Sequence, residues 1–187
     1  MVKDLSLKPN KIQFTHHIKS SNANERLKFA NDIDNLIRED ENFIDKLIMT
    51  DEAYFQLDGY INKQNLIYWD TKNPRIVVEK APHLKRITVF CAITSKRIYG
   101  PFYFEDKKGN AVTVNKVNYR YMLEHSVILT IGNVDEMWYQ QDGVPPHIAR
   151  KTITFLKTIF GNRIISKNGN INWLTRSPDL SPLDFFL

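Results

Sequence analysis

The stretch LIMTDEAYFQL (47–57) is an apolar run that includes the acidic pair Asp51-Glu52, and it predicts the first strand of a β-sheet. RITVFCAIT (86–94), rich in β-branched residues, predicts a neighbouring strand. Ser95–Arg97 then indicates a turn into RIYGPFYFE (97–105), where Gly100-Pro101 marks a break or bulge. Between these runs, the turn dipeptide Asp58-Gly59 and the segment NLIYW (65–69) favour a further strand. The centre of the chain is therefore predicted to be an antiparallel run of strands.

Helical patterns surround these strands. Ser21 or Asn22 can cap a first helix whose apolar face comprises Leu27, Ala30, Ile33 and Ile37, and a helical turn follows at 42–46. Asn115 can cap a second helix with one apolar face, formed by Tyr119, Met122, Leu123 and Val127. EMWYQQD (136–142) and RIIS (163–166) predict two more strands. The segment between them, after Pro145-Pro146, predicts a helix with Ile148, Thr152, Phe155 and Ile159 on one face.

The element order predicts an α/β domain with a mixed five-stranded sheet and helices on both faces. We expect residues 1–20 to be a linker, or the remnant of an N-terminal DNA-binding region, and residues 21–187 to form the domain. The sequence has 26 Lys and Arg against 21 Asp and Glu, and the resulting net charge of +5 arises wholly from residues 51–187. A basic surface favours polyanions, although solvated surface charge explains an excess of this size equally well.

Several classes of protein are excluded or disfavoured by composition. The single cysteine, Cys91, rules out an intramolecular disulfide and a thiolate-rich zinc site, and its place in ITVFCAIT predicts a buried apolar role. No apolar run approaches the roughly 18 residues that a membrane span needs, and the N-terminal residues lack the core of a signal peptide. We therefore expect a nuclear or cytosolic protein with no membrane partner.

Three aspartates lie at predicted element ends: Asp51 in the first strand, Asp142 after EMWYQQ, and Asp184 in the first turn of a helix that begins at Ser181-Pro182. In-line cleavage of a phosphodiester needs stabilisation of both the attacking and the leaving oxygen. Two Mg²⁺ ions about 3.5–4 Å apart provide it, and such hard cations prefer carboxylate ligands. Taken singly, however, each aspartate is more often a helix cap or an ion-pair partner.

The sequence around these aspartates resembles that of mariner-superfamily DNA transposases. TDEAYFQLDGYINKQNLIYW (50–69) is similar to the first catalytic block of that family, QQDGVPPHIAR (140–150) to the second, and SPDLSPLDFFL (177–187) to the third. The intervening segments ITVFCAIT (87–94) and YGPFYFE (99–105) are similar as well. Three blocks in the family's order are far more specific than any one of them.

This resemblance implies an RNase H-like fold with Asp51, Asp142 and Asp184 as the metal-binding, catalytic triad. It also implies Mg²⁺ or Mn²⁺ as cofactor, two ions at a time, DNA as partner, the nucleus as location, and a homodimer in the full-length protein. The expected reaction is cleavage of transposon ends followed by strand transfer into target DNA. The alternative is a catalytically inactive or domesticated remnant that acts as a DNA-binding or dimerisation module. An integrase-type nuclease is disfavoured by the Pro-Pro-His and Ser-Pro-Asp-Leu blocks.

Two features depart from the commonest family pattern. There are 41 residues between Asp142 and Asp184, more than in many relatives, and the third acid is Asp rather than Glu. The third block also contains Asp179, but Pro178 and Pro182 bracket it in a turn-like segment. Asp184 is instead predicted at the third position of a helix capped by Ser181, so we expect Asp184 to be the ligand. The family helix continues further, and we expect a C-terminally truncated domain.

Several other residues can serve either a DNA contact or a structural role. His147 can approach the metal site or a phosphate, although support of its own loop by hydrogen bonds is favoured. Glu52 should point to the face of the strand opposite Asp51, which predicts a structural role. Trp69 and Trp138 are expected in the core, and Trp173, in a polar loop, is expected to contact DNA. Six cations can meet phosphates, although scattered surface charge is the default interpretation: Lys63, Lys107, Lys108, Arg150, Lys151 and Arg176. Of these, Arg150, Lys151 and Arg176 are the predicted DNA contacts.

Overall fold

A five-stranded mixed sheet lies at the centre of the protein. The structure, a computed structural model, describes residues 20–56, 86–174 and 180–183. The strands are β1 (Leu47–Gln56), β2 (Arg86–Ile93), β3 (Ile98–Tyr103), β4 (Trp138–Gln140) and β5 (Ile164–Ile165), and their order in the sheet is β3-β2-β1-β4-β5. β1, β2 and β3 are antiparallel neighbours, whereas β4 pairs parallel with both β1 and β5. The predicted turn at Asp58-Gly59 and the strand at 65–69 lie outside the described residues.

The helices follow the predicted order. They are α1 (Ser20–Glu39), a 3-10 helix (Phe43–Lys46), α2 (Lys116–Met122), a π-helical turn (Leu123–Val127), α3 (Ile128–Ile131), α4 (Pro145–Ile148) and α5 (Arg150–Phe160). The Asn115 side chain caps α2 by accepting from the backbone N–H groups of Val117 and Asn118 at 2.8 and 3.0 Å, as predicted. The single helix predicted after Pro145-Pro146 is divided into α4 and α5, because Ala149 adopts a non-helical ψ of 136°.

One face of the sheet packs on α2, the π-helical turn and α5, and we call this packing the main core. It includes Ile48, Phe90 and Tyr139 from the strands and Tyr119, Leu123, Leu156 and Phe160 from the helical side. All of these residues are fully buried. At roughly 25 cal/mol per Å² of apolar surface, such burial is the main stabilising contribution to the domain.

The other face of the sheet packs on α1. Phe29, Ile33 and Leu36 of this helix pack against a buried cluster that contains Phe43, Leu47, Ile165 and Trp173. The sequence had predicted a face through Leu27 and Ile37, but these two side chains are 63% and 38% exposed. Ile33 of the predicted face packs as expected, but Leu27, Ala30 and Ile37 do not, because Phe29 and Leu36 form an i, i+4, i+7 stripe with Ile33. Helices therefore cover both faces of the sheet, as predicted.

The predicted irregularity at Gly100-Pro101 is present in β3. The register between β2 and β3 shifts between Phe90 and Ala92, opposite this dipeptide. Gly100 has φ of 120°, and a Cβ there would lie 3.1 Å from the backbone oxygen of Phe90. Both observations explain why a glycine occupies the bulge.

Candidate active site

The parallel pairing of β1 and β4 brings Asp51 and Asp142 to one end of the sheet. Met49 pairs with Gln140, and the ladder beyond β4 continues with a 3.0 Å hydrogen bond from the Gln141 N–H to the Ile165 carbonyl. Continuing the β1–β4 register by two residues would align Asp142 with Asp51. Sequence reasoning had predicted both residues at strand ends, and the topology explains how residues so distant in the chain become neighbours.

Asp51 lies on the face of the sheet opposite the main core. Its antiparallel partner is Cys91, and residues directly opposite in such a pair share a face. Cys91 and Val89 form a small buried cluster with Leu183. We call this surface, defined by Asp51, Val89, Cys91 and Leu183, the Asp51 face. The half-buried Asp51 carboxylate accepts a 2.8 Å hydrogen bond from the Glu52 N–H through Oδ1.

Asp142 has one oxygen held by the protein and one left open. Oδ1 lies 2.5 Å from His147 Nδ1 and accepts a 3.2 Å hydrogen bond from the Val144 N–H. Within the described ranges Oδ2 has no hydrogen-bond partner, and the side chain is 38% exposed. An open carboxylate oxygen at a sheet edge is suited to a hard cation.

His147 connects Asp142 to Glu52. Its ring is 2% exposed, and its second nitrogen, Nε2, lies 2.9 Å from Glu52 Oε1. Burial by itself lowers the pKa of His147, but hydrogen bonds to Asp142 and Glu52 outweigh it and raise the pKa from 6.5 to about 9. The ring therefore donates from both nitrogens at neutral pH. The predicted supporting role of His147 is confirmed, and its burial leaves little surface for a DNA phosphate.

Two further buried residues fix the position of His147. The ring of Tyr119 stacks on the imidazole with centroids 4.0 Å apart and planes at 29°. Gln141 Oε1 accepts a 2.8 Å hydrogen bond from the Tyr119 hydroxyl, while its Nε2 donates at 3.0 Å to the His147 carbonyl. Desolvation keeps the pKa of Tyr119 well above its ordinary value, so the hydroxyl remains a donor. Gln141 was missed by sequence reasoning, because its partners are distant in the chain.

The remaining predicted site residues are divided between surface, core and undescribed segments. Arg150 and Lys151 are exposed at the start of α5, directly after the loop that contains Asp142 and His147. Trp173 is 7% exposed and packs edge-on against Phe29 at 5.4 Å. Its predicted role as a DNA contact is not supported, because a buried indole offers a base no face for stacking.

Trp138 packs in the same cluster as Trp173, as predicted. Cys91 is buried, also as predicted, and burial raises its pKa. Asp184, Arg176, Asp179 and Trp69 lie outside the described residues.

The donor set at the sheet end is suited to Mg²⁺ or Mn²⁺. Asp51 and Asp142 supply carboxylate oxygens, whereas the neighbouring Cys91 is buried and its pKa is raised by burial, which disfavours a thiolate ligand for zinc. No group of three or more His, Cys, Asp or Glu residues with metal-site geometry occurs among the described residues. The third predicted ligand, Asp184, is not among them.

Comparison with protein-family models gave no match, and comparison with the sequences of curated proteins gave none either. Solved structures do match. The crystal structure of the Mos1 strand transfer complex superposes with a TM-score of 0.72 and 16% sequence identity over 98% of this chain and 51% of that chain. The Mos1 mariner paired-end complex with Mn gives 0.72 and 15% over 98% and 52%. The catalytic domain of Mos1 mariner transposase gives 0.59 and 15% over 92% and 71%.

These matches define the fold. The chain has the RNase H-like architecture of the Mos1 transposase catalytic domain, as the sequence predicted. It spans about half the length of the Mos1 chains in the DNA complexes. In the described part of the chain, no helix is both long and apolar enough to cross a membrane.

Proposed function

We propose that this chain is the catalytic domain of a mariner-like DNA transposase that cleaves and joins DNA with two divalent ions, Mg²⁺ or Mn²⁺. The observation that carries the proposal is the parallel pairing of β1, which contains Asp51, with β4, which ends two residues before Asp142, within the fold of the Mos1 catalytic domain. The Mos1 structures that share this fold include a complex with a left transposon end and complexes with Mn or Mg. The three sequence blocks independently favour the same assignment.

The position of Leu183 supports Asp184 as the third ligand. Leu183 is 3% exposed and packs on Val89 and Cys91, and Cys91 is the direct partner of Asp51. The described chain therefore reaches the Asp51 face at the residue that directly precedes Asp184 in the sequence. Pro182 and Leu183 are helical, in agreement with the predicted helix start at Ser181-Pro182. We therefore propose Asp51, Asp142 and Asp184 as the complete triad.

The residues of this site bind and orient rather than react covalently. Bound divalent ions would supply charge stabilisation to the attacking and leaving oxygens of the phosphodiester. Asp51 and Asp142 would hold them, with Asp142 offering its open Oδ2. The exposed Arg150 and Lys151, next to the site along the chain, would contact DNA phosphates. We further propose that the whole protein acts in the nucleus on transposon-end and target DNA as a homodimer.

Nicking of supercoiled plasmid DNA by the 187-residue chain in Mn²⁺ tests the proposal. A transposase domain should convert supercoiled to open-circular DNA in Mn²⁺ and not in EDTA. DNA binding without any nicking would instead support the non-catalytic remnant.

Metal binding should also stabilise the fold. Ions that bind the native state alone raise its free energy of unfolding by mass action, about 2.7 kcal/mol at a concentration 100 times the Kd. We expect millimolar Mn²⁺ to raise the Tm measured by differential scanning fluorimetry, and Asp51→Asn or Asp142→Asn to abolish most of that rise. The absence of any Mn²⁺-dependent shift in the wild-type chain would contradict an assembled metal site.

The same measurement distinguishes the two aspartates of the third block. Asp184→Asn should reduce the Mn²⁺-dependent rise in Tm, whereas Asp179→Asn should leave it largely intact. The opposite ranking would identify Asp179 as the ligand.

DNA binding by this chain should be weak and indifferent to sequence. Contacts from lysine and arginine to phosphate position DNA without reading bases, and each contact releases counterions. Fluorescence anisotropy with duplexes of unrelated sequence should give similar Kd values that rise steeply with salt. Arg150→Ala with Lys151→Ala should flatten the salt dependence, whereas Lys107→Ala with Lys108→Ala, a pair at an exposed turn, serves as the control. Strong preference for one duplex at physiological salt would contradict binding through phosphate contacts alone.

A further inference from the structure

We propose that Glu52 is a positioning residue for the metal ligand Asp142 and acts on it through His147. The inference rests on the proposed function, since it concerns how one of the proposed ligands is oriented. A continuous chain joins the three side chains: Glu52 Oε1 to His147 Nε2 at 2.9 Å, and His147 Nδ1 to Asp142 Oδ1 at 2.5 Å. We call this set the Glu52–His147–Asp142 chain.

His147, in the middle of the chain, is the most buried of the three side chains, and Asp142 is the most exposed. Glu52 is 13% exposed and His147 2%, whereas Asp142, which faces the proposed ions, is 38% exposed. Within the described residues Asp142 Oδ2 has no partner, whereas Oδ1 receives both the imidazole and the Val144 N–H. The protein therefore fixes one carboxylate oxygen and leaves the other without a hydrogen-bond partner among the described residues.

The His147 ring has few other ways to sit in its pocket. Stacking on Tyr119 fixes the plane of the ring, and the hydrogen bond from Gln141 Nε2 to the His147 carbonyl fixes its backbone. Glu52 Oε1 is the partner of the second buried ring nitrogen, Nε2. Without that acceptor Nε2 would be a buried, unsatisfied donor, which costs about 1–3 kcal/mol and favours rotation of the ring away from Asp142.

The position of Glu52 in β1 explains how it reaches His147. Asp51 and Glu52 are consecutive in an extended strand, so their side chains point to opposite faces of the sheet. Asp51 lies on the Asp51 face, whereas Glu52 lies on the side of the main core, where Tyr119 and His147 pack. One dipeptide thus supplies a proposed ligand and the support for a second ligand on the neighbouring strand.

Residues that orient a metal ligand from behind typically contribute about 10- to 100-fold to metal affinity. Two variants of similar size separate this role from mere packing. Glu52→Leu removes the acceptor for Nε2, whereas Glu52→Gln keeps an amide oxygen at the same position. Phe160→Leu, a fully buried change in the main core outside the Glu52–His147–Asp142 chain, is the control for a general loss of stability.

The test is the Kd for Mn²⁺, measured by electron paramagnetic resonance on the 187-residue chain, with circular dichroism to confirm folding. We expect Glu52→Leu to raise the Kd roughly 10- to 100-fold, Glu52→Gln to recover most of the affinity, and Phe160→Leu to leave it unchanged. Glu52→Ala replaces Glu52→Leu if the leucine variant does not fold.

Three results would overturn the inference, and they have different meanings. An unchanged Kd in Glu52→Leu would show that Glu52 is structural only, with the proposed function intact. A Kd for Glu52→Gln as high as that for Glu52→Leu would assign the effect to charge instead of orientation. No Mn²⁺ binding by the wild-type chain would remove the proposed metal site itself, and the inference with it.

Discussion

Asp142→Asn should lower the rate of Mn²⁺-dependent plasmid nicking by on the order of 10³-fold, the effect of removing one group that stabilises charge in a transition state. Asparagine keeps the shape of the side chain and can still accept from the Val144 N–H, so the loop should remain in place. What it removes is the negative charge that the open oxygen offers to a divalent ion. Initial rates of open-circle formation at saturating Mn²⁺ measure the effect.

Asp135→Asn is the matched control for this variant. Asp135 is an exposed aspartate that precedes β4, at the end opposite Asp142, so the same chemical change there should leave the nicking rate within about twofold. Asp51→Asn should match Asp142→Asn in size, because we propose both residues as ligands of one site. Equal rates in Asp142→Asn and Asp135→Asn would contradict a role for Asp142 in cleavage.

The sheet was largely predictable because its strands have strong local patterns. In β2, residues 87, 89, 91 and 93 share one face and 88, 90 and 92 the other. Five of its eight residues are buried, so the run is mostly apolar. The turn at Ser95–Arg97 and the cap at Asn115 are local as well, and both are confirmed. Local pattern is insufficient where the packing partners decide which residues of a helix are buried, as in α1.

The same distinction applies to the site. Asp51 and Asp142 were found through the residues that flank them, and the parallel pairing of β1 and β4 brings them together. The opposite orientation of Glu52 follows from the strand period, but its partner does not: 95 residues separate Glu52 from His147. Trp173 was misassigned because a polar loop surrounds it in sequence, whereas Phe29 of the distant helix α1 covers it in the fold.

The Glu52–His147–Asp142 chain also explains why the loop between β4 and α5 has a defined shape although it is short of regular structure. Pro145 and Pro146 begin α4, and the Thr152 hydroxyl donates to the Pro146 carbonyl at 3.0 Å. His147 anchors it on three sides, through two carboxylates and the stacked Tyr119 ring. Loss of this residue should therefore affect folding as well as the site.

His147→Ala should lower the free energy of unfolding by about 3–5 kcal/mol, the usual effect of removing one partner from a buried charged set. Glu52 would be left without its imidazole partner in a largely buried position, and a cavity would form beneath Tyr119. For a chain of this size the Tm should fall by roughly 2–4 °C per kcal/mol, or about 10 °C in all. His125→Ala is the control: His125 is also stacked on a tyrosine, Tyr121, but it is exposed.

The loss of unfolding free energy caused by His147→Ala should become smaller as the pH rises. The pKa of His147 is raised in the folded state from 6.5 to about 9, so the stabilisation is fully present below 6.5 and is lost as the pH rises through 9. Urea unfolding in EDTA should show a larger difference between wild type and His147→Ala at about pH 6 than at about pH 9.5, since only the protonated ring donates to both carboxylates. A difference that is constant over this range, or no larger than that of His125→Ala, would mean that the imidazole is held by packing and that its two carboxylate partners contribute little.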